Sequence, residues 1–248
     1  MIVYGTRARA EATRREVPLC FEDGHACIFH KSEWMEAGRD PQLSPTVFLV
    51  EQPAGSIAPA HFHRQNQFQL FIDGDGTIGR HPLRPLTVHY AGAYTGYGPL
   101  VAGDAGLKYF TIRPAFDTGL IPVSARGQMI RGPKRHAQAG PIATDTPDQL
   151  RTLSGAACEA VVPLDDDGLG VTVLRLPPWQ PLFVDRPPRA GDLFIVVLAG
   201  AMRAAGNDLG QWESVFVSAD EALPDMGAND DGVQVLLLYT PQKAAAYR

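Results

Sequence analysis

Residues 55–76, GSIAPAHFHRQNQFQLFIDGDG, constrain this 248-residue chain more than any other stretch. They hold the closest pair of imidazoles in the sequence, His61 and His63, followed by an amide, Gln67. Side chains two apart on a β-strand point to the same face. His61 and His63 therefore share a face, and Phe62 takes the other. With Gln67 opening a returning strand, three polar side chains converge inside a sheet. Gln67, Gln69 and Phe71 then share one face, and Phe68, Leu70 and Ile72 the opposite one. The pattern predicts a fold and a candidate metal site; it names no substrate.

A chain of this length suits one large β domain or two of about 100–150 residues. The 21 Pro and 25 Gly fit many short strands joined by turns better than long helices. Net charge is −5, from 22 basic and 27 acidic residues, and no dense Lys/Arg block is present, which argues against a nucleic-acid surface. Cys20, Cys27 and Cys158 are odd in number and form no C-x-x-C pair, so neither a disulfide framework nor a zinc knuckle is expected. No apolar run approaches the ~20 residues of a membrane span, and no leader segment stands out. The expectation is a cytoplasmic protein with no membrane partner.

Residues 2–4 read as an edge strand, residues 8–15 as a short helix and residues 27–29 as a strand flanked by His25 and His30, which read as surface histidines. The β-branched run at 46–50 reads as a strand. Residues 74–79 satisfy G-x-G-x-x-G, but Pro82 and Pro85 follow at once and bar the helix that a dinucleotide fingerprint needs. Residues 86–90 and 108–113 read as further strands. Tyr90, Tyr94, Tyr97 and Tyr109 fall within twenty residues. They either pack the sheet or line a cavity that orients a polar ligand. Residues 114–150, rich in Pro, read as a connector, in which Arg131, Lys134 and Arg135 form a solvated loop or a clamp for an anion. Strands follow at 157–163, 170–176, 193–198, 212–217 and 233–240, the spacing of a sandwich or barrel.

Gly55, five residues, His61-Phe62-His63, three residues, Gln67, six residues and Gly74 resemble the first motif of the cupin superfamily, G-x5-H-x-H-x3/4-E-x6-G, with Gln in place of Glu. The second motif, G-x5-P-x-G-x2-H-x3-N, has its nearest counterpart at residues 97–103, which hold no His. Residues 191–200 resemble the strand and closing glycine of the first motif, with Asp192 near the acidic position. The resemblance implies a bicupin: an all-β chain of two double-stranded β-helix (jelly-roll) barrels. Its parts are an arm at 1–45, a barrel at 46–115, the connector at 116–150 and a degenerate barrel at 151–248.

In cupins the two motifs jointly hold a metal inside the barrel. The ligand set implied here is His61, His63 and Gln67, with His89 as a further nitrogen donor and His81 a poorer one beside its proline. Imidazoles suit Fe, Zn or Ni, and a carboxylate in place of Gln67 would favour Mn. Gln69, Tyr90, Tyr94 and Tyr97 are the expected substrate contacts, with Gln69 or Tyr90 also able to brace a ligating His. Two functions follow. One is a cupin-type metalloprotein acting on a small oxygen-bearing organic molecule, as a dioxygenase or isomerase. The other is a metal-free bicupin that binds a small ligand without catalysis. Either is expected as a homodimer, through sheet edges or outer apolar residues such as Phe68, Leu70 and Ile72.

Overall fold

The computed structural model describes residues 1–20, 24, 26–186 and 191–247. His25 lies outside them. Antiparallel strands dominate, and contacts divide the chain into two compact units, Ala8–Ile142 with Lys243–Arg248, and Met1–Arg7 with Ala143–Gln242. Among the described residues no helix is long and apolar enough to cross a membrane, and the three cysteines are free thiols.

The chain enters through β1 (Ile2–Gly5) and a short helix α1 (Arg7–Thr13). The first unit then runs β2 (Arg15–Cys20), β3 (Ala26–Glu36), β4 (Thr46–Gln52), β5 (Ile57–Ala58), β6 (His61–Phe62), β7 (Gln67–Ile78), β8 (His81–Leu83), β9 (Val88–Ala91), β10 (Leu100–Arg113), β11 (Ile121–Pro122) and β12 (His136–Ala139). Its main sheet has the order β12-β9-β7-β10-β4-β3-β2, with β5 on β10 and β8 on β7, while β6 and β11 pair separately. Residues 74–79 lie in β7 and the turn after it, so the glycine pattern opens no helix.

The β7–β10 pair is the centre of this unit. Gln67 opens β7, as the spacing predicts, and β7 alternates Gln67, Gln69, Phe71 against Phe68, Leu70. A bulge leaves Ile72 without a partner, because Asp73 pairs with Lys108 and Phe71 with Tyr109. Phe68 and Leu70 are fully buried within the chain and Ile72 is half-buried. The first two are therefore not an open face for a second copy. Gly74 and Gly106, both at positive φ, let the two strands cross closely: a Cβ on Gly74 would collide with the Gly106 carbonyl.

The second unit contains β1, the helix α2 (Pro147–Arg151), β13 (Ala157–Val162), β14 (Gly170–Leu176), β15 (Leu193–Ala204), β16 (Asn207–Leu209), β17 (Ser214–Val217) and β18 (Met226–Tyr239). The sheet order is β1-β17-β15-β18-β14-β13, with β16 on β15. Gly200 and Gly232 repeat the crossing of Gly74 and Gly106, again at positive φ and again with a Cβ on the first colliding with the carbonyl of the second. Seven residues before Gly74 stands Gln67, and seven before Gly200 stands Leu193. Leu193, Ile195 and Val197 enter an aliphatic core with Val215, Val233 and Val235, so hydrocarbon occupies this interior. Asp192 is not part of it; its carboxylate accepts from the backbone N–H of Ala219 at 3.0 Å.

The unit boundary differs from the sequence divisions. β1 belongs to the second unit because Ile2–Gly5 pairs with β17 (Ile2 opposite Val217), whereas β2 and β3 extend the first sheet. Residues 116–142, expected to connect the barrels, belong to the first unit through β11 and β12. Both assignments rest on non-local strand pairing, which leaves no local signature.

Candidate functional site

His61 sits in β6 and His63 just beyond it, Gln67 at the start of β7 and Arg113 at the end of β10. Alternation along β10 puts Tyr109, Thr111 and Arg113 on one face and Phe110 and Ile112 on the other. Tyr97 precedes β10 and forms an isolated bridge with His61, its N–H donating to the His61 carbonyl at 3.0 Å. His61, His63, Gln67, Tyr97 and Arg113 are all buried. The two imidazole rings meet edge to face at 5.2 Å, and Gln67 is linked to them through Tyr97 and Arg113.

The hydrogen bonds assign the tautomers. His61 Nδ1 faces the Pro59 carbonyl at 2.6 Å and must donate, so Nε2 accepts from the Tyr97 hydroxyl at 2.9 Å. Tyr97 in turn accepts from Gln67 Nε2. Gln67 Oε1 accepts from Arg113 Nε at 2.9 Å. His63 Nδ1 donates to Asp117 Oδ1 at 3.0 Å, and Arg113 Nη2 lies against the face of the ring, 3.2 Å from both of its nitrogens. Asp117 is itself held by the backbone N–H of Arg64 at 2.8 Å and of Gly119 at 2.9 Å.

Burial sets the electrostatics. Desolvation pulls His61 down to about 4 and His63 down to about 3, so both are neutral at neutral pH. Desolvation pushes Tyr97 well above its ordinary value. It also lowers Arg113, which Asp117 partly offsets, and a guanidinium stays charged at neutral pH. Burial pushes the Asp117 carboxyl up, but the His63 hydrogen bond and Arg113 outweigh it and hold that carboxyl below the usual range.

These groups form part of the wall of a cavity of about 490 Å³, which is also lined by Phe29, Lys31, Phe48 and Tyr109. Lys31 Nζ lies 3.6 Å from the Phe48 ring centroid and Arg113 Cζ 5.4 Å from it. Gln69 and Tyr97 line the cavity, and His30 joins them there. Tyr90 and Tyr94 do not. Tyr90 points with Phe68, ring centroids 4.9 Å apart, because it lies opposite Phe68 in the β7–β9 register. Tyr94 packs on Tyr247 at 5.0 Å. His89 faces inward but bonds Gln69 Oε1 at 3.0 Å, and with His81 and His136 it lines a different hollow of about 600 Å³. Lys134 donates to the Ile130 carbonyl and the Tyr247 hydroxyl, both at 2.8 Å, instead of clamping an anion.

Sequence reasoning missed Arg113 and Asp117. The alternation Tyr109, Thr111, Arg113 carried a signal for the first. Nothing marked Asp117, which acts from a loop.

The donors in place do not fit a transition metal. The lone pairs of His61 Nε2 and Gln67 Oε1 point at internal donors, Tyr97 and Arg113, and the Arg113 guanidinium covers the His63 ring, with Nη2 3.2 Å from both ring nitrogens. Arg113 also brings a fixed positive charge. Two unit charges of like sign at about 4 Å repel by about 4 kcal/mol at an effective dielectric of about 20, and the ion would be doubly charged. Among the described residues, no three His, Cys, Asp or Glu side chains gather as a metal site.

No protein-family model matches the chain, and no curated protein matches it in sequence. Solved structures do. A dioxygenase candidate from Nostoc punctiforme superposes with a TM-score of 0.64 at 13% identity, over 99% of this chain and 85% of that one. Oxalate decarboxylase from Lactobacillus farciminis gives 0.54 at 11% identity, over 94% and 88%. Salicylate 1,2-dioxygenase from Pseudaminobacter salicylatoxidans gives 0.50 at 12% identity, over 81% and 71%. The strand order, the inward-facing His61, His63 and Gln67, and these likenesses agree: the chain has the cupin fold.

Proposed function

We propose that the first unit binds a small organic acid in the hollow of its barrel. The ligand carries at least one carboxylate on a compact apolar body. The observation behind this reading is Arg113, a cation only 5% exposed on the wall of a 490 Å³ cavity. Its Nε and Nη2 are engaged by Gln67 and His63, while Nη1 comes no nearer than 3.9 Å to Asp117 and has no hydrogen-bond partner among the described residues. A guanidinium with N–H groups to spare, in a cavity of the size typical for small ligands, favours a planar anion. Phe29, Phe48 and Val50 supply the apolar surface for the rest of the molecule. Two of the structures similar in fold are named for carboxylates, salicylate and oxalate, which accords with this choice.

Titration calorimetry of the untagged protein with salicylate, benzoate and oxalate, and with salicylamide as a neutral counterpart, tests the reading. At least one carboxylate should bind and salicylamide should not. Arg113→Met should weaken that binding by at least about tenfold, equivalent to ~1.4 kcal/mol. Heats indistinguishable from dilution for every acid would sink it.

A further inference from the structure

The geometry points to an exchange of metal for an internal cation: in the first barrel, Arg113 and Tyr97 occupy the coordination chemistry of His61, His63 and Gln67, and the guanidinium provides the positive charge that an ion would otherwise present to the ligand. The inference rests on the organic-acid reading for what that charge is used for, but the exchange itself stands on hydrogen bonds alone.

Three features carry it. First, two of the three donor atoms that the strand geometry brings together are already accepting a hydrogen bond, His61 Nε2 from the Tyr97 hydroxyl and Gln67 Oε1 from Arg113 Nε, and the guanidinium covers the third residue, with Arg113 Nη2 lying 3.2 Å from both ring nitrogens of His63. Second, the amide at position 67 is the group this arrangement needs. It accepts from Arg113 with its oxygen and donates to Tyr97 with its nitrogen, which a carboxylate cannot do. Gln in place of Glu is thus part of a closed network and not an isolated loss of charge. Third, the far sides of the two imidazoles are fixed so that these lone pairs point inward. The Pro59 carbonyl holds Nδ1 of His61, and Asp117 holds Nδ1 of His63. Such bracing usually orients an imidazole toward a metal; here it orients His61 toward the Tyr97 hydroxyl and leaves His63 covered by the Arg113 guanidinium.

Metal uptake by four forms of the untagged protein tests this: wild type, Gln67→Glu, Arg113→Met, and the double variant carrying both changes. Each is incubated with Zn(II), Ni(II), Mn(II) and Fe(II), desalted, and analysed for bound metal, with circular dichroism as the check on folding. The wild type should retain under about a tenth of an equivalent. Gln67→Glu alone restores the motif carboxylate, yet should stay as metal-poor, because Arg113 pairs with the new charge. The double variant should approach one equivalent, with affinity at least about tenfold above wild type. If Arg113→Met forms fail to fold, Tyr97→Phe combined with Gln67→Glu frees Nε2 of His61 and keeps Arg113; it should remain metal-poor. Stoichiometric metal in the wild type, or in Gln67→Glu alone, overturns the inference. So does a folded double variant no better than wild type. Calorimetry with salicylate on the same wild-type samples separates the two claims: a metal-free protein that takes up no acid would end the ligand reading while leaving the exchange intact.

Discussion

Arg113 and Gln67, on neighbouring strands β10 and β7, meet through one hydrogen bond of 2.9 Å from Nε to Oε1. That bond links the guanidinium to the amide, the phenol of Tyr97 and the imidazole of His61 in one chain of donors and acceptors. Removing any member leaves a buried neighbour unpaired, and the consequences can be measured one at a time.

Arg113→Met strips the cation from a buried Asp117 and the donor from Gln67. Breaking a buried charged pair by removing one partner costs about 3–5 kcal/mol. Urea denaturation should show a loss in that range, with the midpoint shifted and the slope unchanged. A loss below about 1 kcal/mol would mean that the contacts with Asp117 and Gln67 contribute little.

Tyr97→Phe keeps the ring that packs 4.5 Å from His61 and removes only the hydroxyl. Nε2 of His61 and Nε2 of Gln67 then lose their partner. The expected cost is about 1–3 kcal/mol, the penalty for a buried polar group left unsatisfied. Thermal unfolding by calorimetry reads it directly, and a variant as stable as wild type contradicts the network.

Stability should also depend on pH in a definite direction. Burial lowers His61 to about 4, and His63 and His89 to about 3, from an ordinary value of 6.5. Between about pH 6.5 and 4 the unfolded chain takes up protons that the folded one refuses, so stability falls as pH falls. Each histidine contributes up to ~1.4 kcal/mol per pH unit in that window. Asp117, held below its ordinary value, adds a further loss at still lower pH. Denaturation midpoints should be level above about pH 7 and decline steadily through pH 6 and 5. A flat profile across that span is the contrary result.

Glycine substitutions separate conformation from collision. Gly55 has φ +67 and open space around it, so Gly55→Ala should cost about 1–2 kcal/mol, the left-handed backbone penalty alone. Gly74→Ala and Gly200→Ala carry the same penalty plus a collision with a strand carbonyl, and should cost about 2–5 kcal/mol. Melting temperatures of the three variants, measured side by side, should rank Gly55→Ala above the other two.

The inner wall of the first unit was legible because it is local. His61, His63 and Gln67 fall at spacings that strand geometry converts into convergence, and β7 begins at Gln67. The strands of both halves were legible for the same reason, from alternation and turn residues. What the sequence hid depends on register and on long-range pairing. His89 does face inward, but its position opposite Gln69 turns it toward another hollow. Tyr90 follows one residue later and must face away. Asp117 reaches His63 across 54 positions from a loop, and no periodicity reports that. The placement of β1 with the second unit is hidden likewise.

The duplicated glycine crossing gives the molecule a built-in comparator. Gly74 with Gly106, and Gly200 with Gly232, bring two strand pairs together in the same manner, yet the strand leading to the first crossing opens with Gln67 and Gln69, and the strand leading to the second with Leu193, Ile195 and Val197. Whatever the first hollow recognises, part of its wall is carried on a strand whose crossing the second unit possesses as well. Grafting polar residues at 193, 195 and 197 would ask how few atoms turn an inert frame into a receptive one.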